Sequence, residues 1–126
     1  MSVAYVDTSC LVAIAFAERG ATAVHRRIDA FDEVVSSSFL EAEVRSAFKR
    51  ERVEFESSTI SDISWLIPDR PLTDEITQVL DAGYVRGADC WHLANALYLA
   101  PDPSSLTFLT LDEPQRKVAK KLGFAI

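Results

Sequence analysis

The stretch of sequence that decides the fold is Val3-Ala4-Tyr5-Val6-Asp7-Thr8-Ser9. Its first four residues are apolar and partly β-branched, which predicts a short buried strand that ends at Asp7. A continuous apolar strand of this kind is typical of a parallel sheet that is covered on both faces. In such sheets, binding sites form beyond the carboxyl ends of the strands. Asp7 therefore marks a candidate site.

The rest of the chain alternates between helical patterns and short apolar strands. Strands are predicted at 34–35, 106–111 and 124–126, and the segment 58–67 is ambiguous between helix and strand. Helices are predicted over 11–17, 22–31, from a serine cap region at 36–38 to about 52, and over 74–82, 88–99 and 112–122. The helix over 88–99 is apolar almost all round, which predicts a central, buried position. This alternation predicts an α/β fold, a three-layer α/β/α sandwich with a central, mainly parallel sheet.

Length and charge limit the classes of function. The chain has 126 residues and a formal charge of −6, from 13 Lys and Arg and 19 Asp and Glu. This length favours a single domain over residues 1–126. The acidic balance argues against nucleic-acid binding that depends on a broad basic face. It leaves open an enzyme that holds nucleic acid through metal ions.

Cysteine content and hydropathy indicate the compartment. Cys10 and Cys90 are the only cysteines, which argues against a disulfide-rich secreted scaffold. The longest apolar run, 10–17, is too short to span a bilayer, and no signal peptide is visible at the N-terminus. We therefore expect a soluble, cytoplasmic protein.

Three aspartates stand where a strand meets a helix or where a helix begins. Asp7 follows the first predicted strand and Asp112 follows the strand predicted at 106–111. Both are also good helix N-caps, and Gln115 completes a capping-box pattern with Asp112. Asp89 opens the apolar helix, where a carboxylate is costly unless a cation meets it, and only Arg86 is well placed to do so. Each residue therefore has a structural and a functional interpretation.

Two glutamates compete for a place in the third helix. Glu41 has Arg45 four residues on, so a solvent-exposed ion pair explains it. Glu43 has mainly apolar neighbours at helical spacing, which weakly favours it as the residue that borders the core. Several carboxylates around one sheet edge would raise one another's pKa unless a cation lay among them. Oxygen-only ligands suit Mg²⁺ or Mn²⁺ rather than zinc.

Four motifs in order carry a resemblance to a known family. They are residues 5–9, 37–48 with Glu43-Val44-Arg45-Ser46-Ala47-Phe48, 88–94 and 109–112. Together they resemble the PIN domain, and within it the VapC-type toxin ribonucleases of toxin–antitoxin pairs. The resemblance covers essentially the whole chain and implies an α/β sandwich that cleaves RNA with Mg²⁺ or Mn²⁺.

The resemblance also implies roles for individual residues. The catalytic and metal-binding acids fall on Asp7, Glu43, Asp89 and Asp112. Asp7, Asp89 and Asp112 are expected to hold the metal, and Glu43 to bind or orient the attacking water. Supporting hydroxyl positions fall on Ser9 and Thr110, and His92 is expected to be a structural residue of the buried helix.

Partners follow from the same resemblance. It implies an RNA substrate, a small antitoxin protein and a possible homodimer, and it gives no role to a membrane. The apolar residues Leu11, Val12, Ile14 and Phe16 are a candidate antitoxin-docking surface, with core packing as the alternative. Two basic groups are weak candidates for RNA contacts, with a solvated helix face as the alternative: Arg45, Lys49, Arg50 and Arg52, and Lys117, Lys120 and Lys121.

Other classes of protein place acids at strand ends. A receiver-type signalling domain needs adjacent N-terminal acids, and Asp7 has no acidic neighbour. A haloacid-dehalogenase-like phosphatase needs a second Asp where Ser9 stands. The non-enzymatic alternative is a PIN-like scaffold that binds RNA or a protein without cleaving it.

Overall fold

Four strands form the centre of the fold: β1 (Val3–Val6), β2 (Glu33–Ser37), β3 (Ser64–Leu66) and β4 (Thr107–Leu109). In a computed structural model that describes residues 1–126, all four are parallel and lie in the order β3-β2-β1-β4. The helices are α1 (Thr8–Ala15), α2 (Ala21–Asp29), α3 (Phe39–Arg50), α4 (Thr73–Ala82), α5 (Gly87–Leu99) and α6 (Glu113–Leu122). The predicted α/β sandwich is confirmed.

Alternate residues of β1 belong to two separate cores. Ala4 and Val6 pack with apolar residues of α1, α2 and α3 on one face of the sheet. Tyr5 points to the other face, where it packs with α4, α5 and α6. This alternation follows from the two-residue period of a strand, and it gives the three layers. The helix α5 is buried along most of its length, as predicted.

The start of α1 differs from the prediction. The helix begins at Thr8 rather than Leu11, because Asp7 caps it: Asp7 Oδ2 accepts a 3.0 Å hydrogen bond from the Ser9 N–H. It ends at Ala15, and Ala17 follows with a positive φ of 51°.

The serine segment before α3, predicted to be a helix cap region, lies mostly in β2. Ser36 and Ser37 belong to β2, and the Ser36 hydroxyl donates to the Val6 carbonyl at 2.8 Å. Ser37 nevertheless contributes to the helix start, since its Oγ accepts a 3.1 Å hydrogen bond from the Phe39 N–H.

The C-terminal strands are shorter than predicted. The strand β4 stops at Leu109, so Asp112 lies beyond it as the N-cap of α6 rather than at the strand end. The prediction of a strand over 124–126 was wrong, because only a single bridge joins Thr107 to Ala125. The Phe124 N–H still bonds the Ala119 carbonyl of α6, so the backbone at Phe124 belongs to the helix end rather than to the sheet. The ambiguous segment 58–67 contains a 3₁₀ turn and then β3.

The helices are too short or too polar to cross a membrane.

Candidate active site

One cavity brings together the four predicted acids. It has a volume of about 250 Å³ and lies beyond the carboxyl end of β1. Because β1 and β4 are neighbours in a parallel sheet, the segments that follow them reach the same edge. The cavity is lined by Asp7, Thr8, Ser9, Val12, Glu43, Ala47, Arg50, Arg86, Asp89 and Asp112.

Asp7 is both a helix cap and a lining residue of this cavity. It is only 4% exposed, although it carries a carboxylate. Besides capping α1 through Oδ2, it accepts a 3.3 Å hydrogen bond at Oδ1 from the Gln115 side-chain amide. The structural and functional interpretations of Asp7 are therefore compatible.

Asp112 also combines a cap with a place in the cavity. Its Oδ1 accepts a 2.9 Å hydrogen bond from the Gln115 N–H, which is half of the predicted capping box. The other half is absent, since the Asp112 N–H donates to Thr110 Oγ1 at 3.0 Å instead. The Gln115 side chain turns into the core and accepts a 2.6 Å hydrogen bond from Thr110.

Gln115 is a residue of the site that sequence reasoning missed. It is fully buried, and its amide reaches Asp7 Oδ1 and the Asp89 carbonyl, each at 3.3 Å. It thus connects the segments that carry Asp7, Asp89 and Asp112. A glutamine three residues after a cap is so common at a helix start that nothing in the sequence indicated this second role.

Ser9 and Thr110 connect the two strand ends. Their hydroxyl oxygens lie 3.3 Å apart, and Ser9 Oγ accepts a 3.0 Å hydrogen bond from the Leu111 N–H. These contacts fix the start of α1 against the turn that follows β4. Both hydroxyls therefore lie beside the acids that they are predicted to support.

Asp89 is the carboxylate whose charge is least compensated. Its pKa is raised by burial and by the negative charges of Asp7 and Asp112, and Arg86 offsets this only in part. Arg86 Nε lies 3.5 Å from Asp89 Oδ2, and its Nη2 lies 4.0 Å from Asp112 Oδ2. The Arg86 side chain is 76% exposed, so water screens these long contacts.

Glu43, rather than Glu41, lines the cavity. Glu43 Oε1 accepts hydrogen bonds from Thr8 Oγ1 at 2.7 Å and from His92 Nε2 at 2.6 Å. Burial acts to raise the pKa of Glu43, but the hydrogen bonds from His92 and Thr8 outweigh it and lower that pKa. Glu41 instead forms a 2.7 Å ion pair with Arg45 on the exposed side of α3.

His92 is buried, as expected of a structural residue, but it also contacts the site. It is fully inaccessible, and its Nδ1 lies 2.8 Å from the Tyr5 hydroxyl. Its Nε2 meets Glu43 and lies 3.8 Å from Asp7 Oδ1. The only signal of this in the sequence was the helical spacing that places His92 on the same stripe as Asp89.

Of the candidate RNA-binding basic residues, only one lines the acidic cavity. Arg50 lines the acidic cavity and also pairs with Glu51 at 3.2 Å. Lys49 and Arg52 line a separate surface cavity. The remaining ones do not line the acidic cavity: Arg45, which stacks on Phe55, and Lys117, Lys120 and Lys121, which are exposed on α6.

The donor set of the cavity fits a divalent cation that prefers oxygen. All four acids offer carboxylate oxygens, and burial together with the charges of Asp7 and Asp112 raises the pKa of Asp89, an effect that a bound cation would offset. Nowhere in the chain do three His, Cys, Asp or Glu side chains form a ready-made set of metal ligands. Closing these carboxylates around an ion therefore requires side-chain movement.

Comparison with known proteins identifies the family. Residues 4–121 match the PIN domain. Neither the curated proteins nor the solved structures gave a match. PIN domains are generally nucleases that need divalent metal ions. With almost the whole chain matched and the α/β fold in agreement, the chain belongs to the PIN domain family.

Proposed function

We propose that this protein is a Mg²⁺- or Mn²⁺-dependent endoribonuclease that hydrolyses RNA phosphodiester bonds. The observation that carries the proposal is the convergence of Asp7, Glu43, Asp89 and Asp112 on one cavity. These acids come from four separate parts of a single domain over residues 1–126. Burial and the charges of Asp7 and Asp112 together raise the pKa of Asp89, and a bound cation would offset this unfavourable ionisation.

In this proposal each acid has a role. Asp7, Asp89 and Asp112 hold the cation, which supplies the positive charge that phosphodiester hydrolysis requires. Glu43 would contribute its negative charge to the same cation site and orient the attacking water through Oε2, because Thr8 and His92 occupy Oε1. The lowered pKa of Glu43 keeps it ionised and able to accept a hydrogen bond from that water.

RNA would reach the site against the net charge of the protein. The chain carries a formal charge of −6, so its net charge does not supply the affinity. Arg50 and Arg86 are the only cationic side chains that line the cavity, and we assign them to contacts with the RNA backbone. Substrate binding should therefore depend on the metal and on these two arginines.

We further propose the biological role of a toxin in a toxin–antitoxin pair, on the strength of the sequence resemblance. Of the four proposed antitoxin-docking residues, Leu11 and Ile14 line an open cavity of about 270 Å³ with part of α2 and the segment 58–63. Val12 instead lines the acidic cavity, and Phe16 packs against Phe48. Leu11 is itself buried, so docking there would use mainly Ile14 and its neighbours. A cytoplasmic location and a homodimer belong to this proposal as well.

The decisive experiment is RNA cleavage by purified protein with Mn²⁺ or Mg²⁺, compared with EDTA and with Asp7→Asn. Asparagine caps a helix as well as aspartate does, so this variant should fold. We expect cleavage only by the wild type with metal. Cleavage that survives in Asp7→Asn would contradict the mechanism. Absence of both cleavage and Mn²⁺ binding would favour a scaffold that binds RNA or a protein.

The toxin role has its own test. Wild-type protein expressed alone should arrest growth, Asp7→Asn should not, and a small protein should co-purify from the native source. A wild-type chain that cleaves RNA in vitro but is harmless in its own host would contradict the toxin role and leave the nuclease intact.

A further inference from the structure

A chain of buried hydrogen bonds leads from the sheet to Glu43. The Ser37 N–H donates to the Tyr5 hydroxyl at 3.0 Å. The Tyr5 oxygen lies 2.8 Å from His92 Nδ1, and His92 Nε2 lies 2.6 Å from Glu43 Oε1. Tyr5 and His92 are fully buried, so water does not compete for these bonds.

The donors and acceptors of this chain favour one arrangement of protons. The Tyr5 oxygen accepts from the Ser37 N–H, and its own proton can be donated to His92 Nδ1, which lies 2.8 Å away. The ring then carries its proton on Nε2, which faces the Glu43 carboxylate. Burial raises the pKa of Tyr5, which keeps the hydroxyl proton in place.

This arrangement fixes one oxygen of Glu43 and frees the other. Oε1 receives two hydrogen bonds, from His92 and from Thr8. Oε2 forms no hydrogen bond within the chain, although Glu43 lines the acidic cavity. The histidine thereby sets the rotation of the Glu43 carboxylate about its last bond, although the side chain is 26% exposed and lies at the edge of the core.

We propose that His92 is a positioning residue of the active site: held in one tautomer by Tyr5, it fixes Glu43 Oε1 and directs Oε2 into the cavity. This inference rests on the proposed function and adds to it two residues, His92 and Tyr5. Neither touches the substrate. The alternative is that His92 merely fills the core between α5 and the sheet.

The tautomer can be tested without metal or RNA. Nitrogen-15 NMR of the imidazole rings should show His92 protonated at Nε2 and unprotonated at Nδ1. The protein has only two histidines, and His25 is exposed, so His25→Gln assigns the spectrum. In Tyr5→Phe the His92 signals should show exchange between tautomers. A ring protonated at Nδ1 in the wild type would overturn the proposal.

The effect on Glu43 is tested by a matched pair of variants. Glutamine can place an amide donor where His92 Nε2 lies, whereas leucine has a similar size and no donor. We expect His92→Leu to weaken Mn²⁺ binding and kcat by roughly 10–100-fold, and His92→Gln to recover most of that loss. Equal values for the two variants, measured on folded protein, would overturn the proposal.

A double-mutant cycle separates positioning from packing. If His92 acts through Glu43, the His92→Leu loss in Mn²⁺ affinity should vanish in a Glu43→Gln background. A loss of the same size in both backgrounds would show that His92 acts through the core. If wild-type protein binds Mn²⁺ but cleaves no RNA, the proposed ribonuclease function fails, while the cycle and the NMR measurement still decide the role of His92.

Discussion

Glu43 and Asp89 line the same cavity, yet the pKa values of their carboxyl groups shift in opposite directions. Glu43 accepts two short hydrogen bonds that favour its charged form. Asp89 is partly buried, faces the charges of two other aspartates and has only the long contact to Arg86. Without a metal, the Glu43 carboxylate on α3 is therefore stabilised in its charged form, whereas the charged form of Asp89 at the start of α5 is disfavoured.

Asp89→Asn should stabilise the metal-free protein while abolishing Mn²⁺ binding. The pKa of Asp89 is raised in the fold, so its ionisation opposes folding as the pH rises through that pKa. Near pH 7 we expect a gain of about 0.5–2 kcal/mol in the free energy of unfolding, a range typical of a relieved unfavourable charge. Urea denaturation in EDTA measures it.

The gain from Asp89→Asn should shrink as the pH falls through the raised pKa, because the wild-type carboxyl then becomes neutral as well. Glu43→Gln should have the opposite effect. It should lower the free energy of unfolding near neutral pH, and this loss should shrink as the pH falls through the lowered pKa of Glu43.

Asp62→Asn, at an exposed aspartate, is the control for both variants and should change the free energy of unfolding little. A destabilising Asp89→Asn at neutral pH would contradict the electrostatic account.

Glu43→Gln should reduce RNA cleavage by two orders of magnitude or more, within the roughly 10²–10⁴-fold range of general acid–base catalysis. Glu41→Gln, two residues away on α3, should retain near-wild-type activity, because Glu41 pairs only with Arg45 at the surface. Single-turnover kinetics with saturating Mn²⁺ compare the two. If Glu41→Gln proved the more damaging, the assignment of the second acid would be wrong.

Gln115→Leu should destabilise the protein by about 1–3 kcal/mol, because it leaves buried polar partners unsatisfied. The partners that lose their bonds are Thr110, Asp7 and the Asp89 carbonyl. Gln78→Leu, at an exposed position of α4, is the matched control. Thermal unfolding followed by circular dichroism measures both, and an unchanged Tm for Gln115→Leu would show that these bonds contribute little.

Arg50→Gln should weaken RNA binding more than Lys120→Gln. Arg50 lines the acidic cavity, whereas Lys120 lies in the last turn of α6, away from the helix end that Asp112 caps. Loss of one phosphate contact should reduce the slope of log K against log salt by about 0.7 for single-stranded RNA. Fluorescence anisotropy on Asp7→Asn protein gives the slope without cleavage. Equal slopes for both variants would remove Arg50 from the RNA path.

Local signals were enough for the elements that depend on neighbouring residues. The apolar run before Asp7 predicted β1, and the all-round apolar pattern of 88–99 predicted the buried helix α5. Predictions failed where the local structure depends on pairing with a distant segment of the chain. Residues 124–126 have a strand-like composition, but Phe124 is still bonded to α6 and only one bridge joins Ala125 to Thr107.

By itself, the sequence determined the α/β class, because strand ends, helix caps and hydrophobic periodicity are local and recur at fixed spacing. The resemblance of its motifs indicated the family and the four candidate acids. Only the tertiary structure decided how those acids are held. Gln115 reaches Asp7 across 108 positions and Tyr5 reaches His92 across 87, and both contacts exist because the parallel sheet places distant segments side by side. No local pattern encodes a hydrogen bond between residues that meet only once the sheet and both its helical layers have formed.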